Sequence, residues 1–438
     1  MPAPRVVLAT AFLQLCGGID GAARSAPADR SESTAIPVEL VQEEGRYRLL
    51  RGGRPYEIRG AGTAAKLEAL AAHGGNTVRT WSTGSSGPDG LHILDEAPAH
   101  GLTVALCIDI GRERHGFDYD DEAAVARQLE FAHREVRKYK DHAALLLWMI
   151  GNEPNLEFRN PRVFDAINDI SRMIHDVDGA HPTTTALAGF SPELVGLIEQ
   201  RAPDLDFLSV QLYGDALNLP SRIEEIGYDG PLLVTEWGAI GHWEVPATDW
   251  GAPIEQNSSE KAASYLAAYK AIVSNRAQVF GSYVFLWGQK QERTPTWYGM
   301  FLEDGTETEA VDVMHYLWND AWPDNRSPRM EAMRLDGRTA HDSIVIAAGE
   351  HYTASVVAND PDGDALTFRW EIIRESEATQ TGGDAEERPE MLPGLIDAGG
   401  NDRVLVTAPP DPGAYRLFVY VHDGQGNAGH ANIPFRVQ

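Results

Sequence analysis

The sequence predicts an α/β chain, a (β/α)8 barrel followed by a small all-β sandwich, on three observations. Short apolar runs alternate with helical-period segments eight times between residues 56 and 320. Those eight units take about 265 residues, the usual size of such a barrel. Beyond residue 323 the hydrophobic pattern changes from helical to alternating. The strand candidates, in order, are 56–60, 76–80, 102–110, 145–150, 183–188, 207–212, 232–235 and 282–286, each a short apolar run closed by polar or glycine-containing loops. Helices are predicted over 64–73, 121–139, 161–177 and 259–275 from their helical period. A doubly wound open sheet is the rival fold, and it needs a G-x-G-x-x-G turn after an early strand. No glycine cluster here has that form in that place. The expected organisation is an export signal over 1–26, a leader over 27–45, the barrel over 46–322 and the sandwich over 323–438.

Composition narrows the function classes. With 438 residues, 43% hydrophobic and 23% charged, the chain is neither disordered nor membrane-embedded. Its net charge of −28 repels phosphate backbones and anionic headgroups, which argues against nucleic acid and polyanionic substrates as partners. Arg5 followed by the apolar run Val6 to Cys16 reads as an export signal, too short to span a bilayer, with cleavage after Ala23 or Ala26. That places the mature protein in the secreted, periplasmic or cell-surface compartment. Lipid attachment at Cys16 is the alternative, and Leu15 stands where a small residue is expected. Cys107, the other cysteine, is then without a disulfide partner and reads as a small buried hydrophobe in the third strand.

In a barrel of this kind the C-terminal strand ends face the site, so polar and aromatic residues closing the apolar runs are the candidates. They are Arg79 and Trp81 after strand two, Asn152 and Glu153 after strand four, Tyr213 after strand six, Glu236 and Trp237 after strand seven, and Trp287 after strand eight. Glu153 and Glu236 lie 83 residues apart, about 28 per unit over three βα units. Either acid alone is read most simply as an exposed loop or cap residue. Two acids at corresponding ends of strands four and seven are what glycoside cleavage needs: one protonates the leaving oxygen, the other attacks or stabilises the oxocarbenium ion. Their roles must differ, and Arg79 and Tyr213 offer the cation and hydroxyl donor that keep one of them ionised.

The segments Trp148-Met-Ile-Gly-Asn-Glu-Pro154 and Val234-Thr-Glu-Trp-Gly238 resemble the signatures of the retaining glycoside hydrolases built on a (β/α)8 barrel, the clan with its acid/base on strand four and its nucleophile on strand seven. The resemblance covers about residues 46 to 320. Within the clan it is similar to the barrel of family 2 and to cellulase-like and β-1,3-glucanase-like families, including the leader Leu50-Arg-Gly-Gly-Arg-Pro-Tyr-Glu-Ile-Arg-Gly60. The resemblance implies Glu153 as acid/base, Glu236 as nucleophile and Asn152 as partner of the sugar 2-hydroxyl. It also implies Arg79 and Tyr213 as partners of Glu236, and Trp287 as the platform under the sugar. Two departures stand out: Gln211 occupies a place often held by His in His-x-Tyr, and no sugar-binding sandwich precedes the barrel here as in complete family 2 enzymes.

Sugar rings stack on indoles and phenols. Trp243 and Trp297, in the loops after strands seven and eight, are therefore added to Trp81, Trp237 and Trp287 as substrate-binding candidates, each with loop packing as the plainer reading. The histidines show no H-E-x-x-H or comparable spacing, so no metal is expected, and no cofactor is required. Asp118 to Glu122 reads as a helix start rather than a cation site.

In the C-terminal region, strands are predicted over 343–347, 352–358, 366–373, 402–407 and 415–422. The turns Asn359 to Asp364 and His422 to Asn427 resemble those of secreted immunoglobulin-like and cadherin-like modules. Asp-rich turns of that kind can hold Ca²⁺, but plain tight turns are the favoured reading. Residues 376–389, polar and acidic, are expected to form a mobile loop. The functional expectation is an exported retaining glycosidase acting on a β-linked neutral glycan, β-glucan first. A β-glucan transglycosylase and a non-catalytic glycan-binding or adhesion protein are the alternatives.

Overall fold

A computed structural model describes residues 35–84, 90–380, 382–397 and 401–438. The expected export signal and Cys16 lie outside the described residues. The chain from residue 34 onward forms one compact unit.

The fold opens with a three-stranded antiparallel sheet not expected from the sequence: β1 (Val38–Glu43), in the leader, then β2 (Arg46–Arg51) and β3 (Arg54–Tyr56). Val38 and Leu49 of this sheet share a buried cluster with Ile58, Ala105, Cys107, Leu147, Met149, Leu233 and Tyr283 from the barrel strands. The apolar side chains of an otherwise polar hairpin thus have a core to enter. The expectation for Cys107 agrees with its burial, which pushes its thiol up to about 12 and leaves it unreactive.

Eight parallel strands then close a barrel: β4 (Ile58–Gly62), β5 (Thr77–Arg79), β6 (Thr103–Ile108), β7 (Leu145–Asn152), β8 (Thr183–Ala188), β9 (Leu208–Gln211), β10 (Leu232–Gly238) and β11 (Val279–Phe285), with β11 pairing back to β4. β7 is buried along all eight residues, as expected of a parallel strand covered on both sides. The helices are α1 (Leu67–Ala72), α2 (Gly90–Glu96), α3 (Glu122–Tyr139), α4 (Arg162–Val177), α5 (Pro192–Arg201), α6 (Leu219–Ile226), α7 (Ser258–Ser274) and α8 (Glu309–Asn319). The acidic run before α3 is a helix start: the Asp121 side chain accepts from the backbone N–H groups of Ala123 and Ala124, both at 3.0 Å. A reciprocal capping box between Asn257 and Glu260 begins α7.

The C-terminal region is all β. The strand β12 (Glu307–Thr308), which precedes α8 in sequence, pairs with the last strand of the chain. After it come β13 (Arg329–Met330), β14 (Arg334–Leu335), β15 (Val345–Ile346), β16 (His351–Ser355), β17 (Ala358–Asn359), β18 (Thr367–Arg374), β19 (Arg403–Thr407), β20 (Gly413–His422) and β21 (Asn427–Val437). One sheet runs β12-β21-β20-β18 with β15 on β21, a second runs β14-β16-β19, and β13 pairs β17. Leu335, Ala354, Ile372, Val406, Leu417, Val419 and Phe435 fill their shared core.

β21, absent from the expected strands, is the most buried of the module, and its polar content explains why its pattern was hidden. The Asn432 amide donates to Glu255 at 2.7 Å, and the His430 N–H donates to the Ser258 hydroxyl at 3.0 Å. Asn432 thus joins a polar network of the barrel. At its centre the Lys261 ammonium donates to Glu255 at 2.5 Å, with Thr294 and Thr296 hydroxyls on the same carboxylate.

Candidate active site

Barrel closure puts Glu153, directly after β7, and Glu236, inside β10, at the same mouth, separated by the two strands β8 and β9 on the shorter side of the ring. Gly151 and Glu153 both take left-handed backbone, φ +77° and +49°, and the Glu153 N–H donates to the Ala186 carbonyl at 2.8 Å. A left-handed glutamate is an uncommon, strained conformation held by its surroundings.

Glu236 receives three donors: Arg79 Nη1 at 2.6 Å, Trp81 Nε1 at 3.3 Å, and the Tyr213 hydroxyl. An ionised carboxylate is an acceptor only and can serve all three at once. Arg79 is fully buried, and its Nη2 donates to Asn152 Oδ1 at 2.5 Å. Gln211 Nε2 donates to the same oxygen at 2.7 Å, so the residue standing in place of the expected His fixes the Asn152 amide. Burial beside Glu236 holds the Tyr213 phenol well above its ordinary range, so it remains a donor. Glu153 has a different environment. Burial first, and the Glu236 charge second, push its carboxyl up to about 7, against the opposing effects of Arg114, Arg79 and Arg112.

The aromatic candidates divide. Trp81 reaches Glu236, and Trp243, 60% exposed, sets its ring 5.5 Å from that of Tyr213. Trp237, Trp287 and Trp297 do not face the cleft. Trp237 is buried against Tyr265 and Tyr269 of α7. Trp287, expected as the sugar platform, is fully buried among His73, Phe301 and Trp318, because its side chain points outward to the helical layer. The ring standing among Trp81, Tyr213 and Tyr298 is instead Phe285, with centroid separations of 5.7–5.9 Å. Trp297 is 1% exposed and donates to the Ile240 carbonyl at 2.9 Å, pinning the loop that carries Trp243.

Tyr298, which the sequence places beside Trp297 in the loop after strand eight without a role, joins this group. Its hydroxyl accepts from the His242 N–H at 3.2 Å and meets His242 Nδ1 at 3.0 Å. Burial, with Arg293 next, lowers His242 to about 4, so this ring is neutral at pH 7. Glu244 ties the same loop to the one after β9, accepting from the N–H groups of Gly241 and Gly214, both at 2.9 Å. Between these loops lies a cleft of about 420 Å³ lined by Glu153, Leu156, Gln211, Tyr213, Trp243 and Gly382, among others. Among the described residues the one grouping of three acids close enough for a metal, Asp360, Asp364 and Asp423, lies in the C-terminal turns outside this cleft.

Residues 86–238, a stretch that includes both glutamates, match the TIM barrel domain of glycosyl hydrolases family 2. Solved structures add a likeness of fold. Bacteroides uniformis β-glucuronidase 2, covalently bound to cyclophellitol-6-carboxylate aziridine, is similar at a TM-score of 0.51 and 14% identity over 92% of this chain and 48% of that one. The Ruminococcus gnavus β-glucuronidase in complex with C6-substituted uronic isofagomine gives 0.50 and 16% over 65% and 53%. The Bifidobacterium dentium β-glucuronidase complexed with coumarin-3-O-glucuronide gives 0.50 and 15% over 66% and 50%. This chain spans about half the length of these structures. No curated protein matches it.

Proposed function

We propose that this protein is a retaining O-glycosyl hydrolase that cleaves β-linked glycans by double displacement. The observation that carries the reading is the unequal treatment of two glutamates at one barrel mouth: Glu236 takes three donors including Arg79, while Glu153, partly buried and beside the Glu236 charge, has its carboxyl pushed up to about 7. That is the division of labour glycoside cleavage requires. Glu236 attacks the anomeric carbon as the glycosidic C–O bond breaks, and the protonated Glu153 gives its proton to the departing oxygen. Glu153, now a carboxylate, takes a proton from water, whose oxygen displaces Glu236 and restores both groups. Asn152 Oδ1 is committed to Arg79 and Gln211, so its Nδ2 is the group turned to a sugar 2-hydroxyl. Phe285 and Trp81 supply the apolar wall beside the sugar, and Trp243 supplies an exposed stacking face.

The favoured substrate is a neutral β-glucan, supported by the leader resemblance and by the aromatic loops. The three fold relatives are β-glucuronidases, so glucuronides belong in the test. Chromatography of time-course products from β-1,3-, β-1,4- and β-1,6-glucans, mannan, galactan and aryl β-glucuronides decides it. Shorter products from a glucan support the reading. Release from the glucuronide alone replaces the sugar, longer products replace water with a sugar acceptor, and no product anywhere contradicts catalysis. Export, read from residues 1–26, is part of the same proposal and is tested by N-terminal sequencing of protein from the medium or cell envelope.

A further inference from the structure

The loop expected to be mobile, which joins β18 to β19 in the C-terminal module, enters the barrel mouth. Gly382 lines the same cleft as Glu153 and Trp243. Its neighbours are anchored to the loop after β11: Lys290 Nζ donates to the Gly383 carbonyl at 2.7 Å, while Gln291 Nε2 and the Arg293 N–H donate to the two Glu386 oxygens at 3.1 and 2.9 Å. On the other side the turn meets the loop after β6, where His115 Nε2 lies 2.9 Å from an Asp384 oxygen. It therefore bridges two loops that the barrel itself keeps apart.

Beneath the turn is Arg114. Its side chain is 3% exposed, its closest ion-pair oxygen is on Asp384 at 3.8 Å, and none of its three guanidinium nitrogens has a hydrogen-bond partner among the described residues. A buried guanidinium with five donors and no acceptor is costly unless something at the site uses it. The turn packs closely on the side-chain ends below it and holds Gly382 in left-handed backbone, which disfavours any other residue there. A Cβ on Gly382, at φ +62°, would lie 2.6 Å from a Leu156 methyl and 2.8 Å from Arg114 Nη2.

The cleft is lined by Glu153 and not by Glu236, so it lies on the proton-donor side of the pair. Resting on the hydrolase reading above, we infer that the Gly382–Asp384 turn is a wall of the leaving-group subsite, with Arg114 as its positioning residue. The departing sugar then passes between the glycine backbone and the Trp243 ring, and the C-terminal module helps decide which leaving groups are accepted.

The test compares 4-nitrophenyl β-glucoside, whose leaving group is a single ring, with laminaritriose and cellotriose in wild type, the double variant Asp384→Ala/Glu386→Ala, and Arg114→Lys. Loss of the anchors should raise KM for the cleaved trisaccharide about ten-fold, the cost of one good contact, with a clearly smaller change for the aryl glucoside. Arg114→Lys should shift the same ratio in the same direction. Equal losses on both substrates, or no loss on either, overturn the assignment. Hydrogen–deuterium exchange gives a readout independent of variant folding at the turn. In Glu236→Gln protein either trisaccharide should slow exchange in the peptide containing residues 382–386, and unchanged exchange with bound trisaccharide contradicts the wall. If wild type cleaves neither these glucosides nor any glycan of the product panel while the peptide is protected, the hydrolase reading fails and the turn stands only as a wall of a sugar-binding cleft.

Discussion

At the scale of single residues, two carboxylates of the same chemical type are made unlike by their neighbours. Glu236 is gripped by Arg79, Trp81 and Tyr213, and Glu153, partly buried and close to the Glu236 charge, retains its proton up to about pH 7. Because Glu153 must begin the cycle protonated, kcat/KM should fall as pH rises through about 7, and Glu153→Gln should abolish that alkaline limb. With an unactivated β-glycoside, Glu153→Gln should also lower kcat by about 10²–10⁴-fold, the span typical of general acid catalysis, while an activated aryl glycoside suffers less. Arg79 touches both Glu236 and Asn152, so Arg79→Ala should cost about 10²–10³-fold in kcat, as loss of a preorganised electrostatic donor does. Steady-state kinetics at fixed pH checks each of these. That the fold brings Arg79, Asn152, Tyr213 and Glu236 into one hydrogen-bonded group, with Glu153 at the same mouth, could be read from the sequence, because all five close apolar strand runs. The aromatic assignments were less legible. A tryptophan at a strand end faces either the mouth or the helical layer according to the pleat, and Trp237 and Trp287 take the second course.

At the scale of elements, the barrel was legible because apolar period and glycine punctuation agree in every unit; β8 spans Thr183–Ala188 as expected, and α4 begins within one residue of its predicted start. What escaped were elements whose polar residues are satisfied by distant parts of the chain. β21 carries Asn427, His430, Asn432 and Pro434 in a fully paired strand, and the loop after β18 is held by Lys290, Gln291 and Arg293, almost a hundred positions earlier. Helix α8 contains a further buried acid of this kind. Asp312 accepts from the Ser327 N–H at 2.7 Å while its other oxygen has no partner, and burial pushes it up to about 7. Between about pH 4 and pH 7 the folded state therefore holds a proton that the unfolded chain releases, and stability falls as pH rises across that window. Asp312→Asn should unfold at higher denaturant than wild type at pH 8, by about 1–3 kcal/mol, and show no advantage at pH 4.

For the whole molecule, the barrel and the C-terminal module share a buried polar network. Burial alone would raise the Glu255 carboxyl, but Lys261, His430 and Arg416 override it and hold it down at about 2. Arg416 also donates to Glu375 at 2.6 Å and to the Pro253 carbonyl at 2.8 Å, joining module to barrel. Removing one member leaves an uncompensated buried charge, so Lys261→Met should destabilise the protein by about 3–5 kcal/mol. In calorimetry the wild-type barrel and module should melt in one transition, and this variant should melt earlier or in two. The same joint construction brings Gly382 to the cleft. The account as a whole stands on Glu236 as the nucleophile of a covalent intermediate. The decisive measurement is mass spectrometry of peptides after incubation with a 2-deoxy-2-fluoro β-glycoside of the sugar released in the product panel. The account predicts one fluoroglycosyl group per chain, on the peptide containing Glu236. A label on Glu153, or turnover with inverted anomeric configuration and no label, would contradict it.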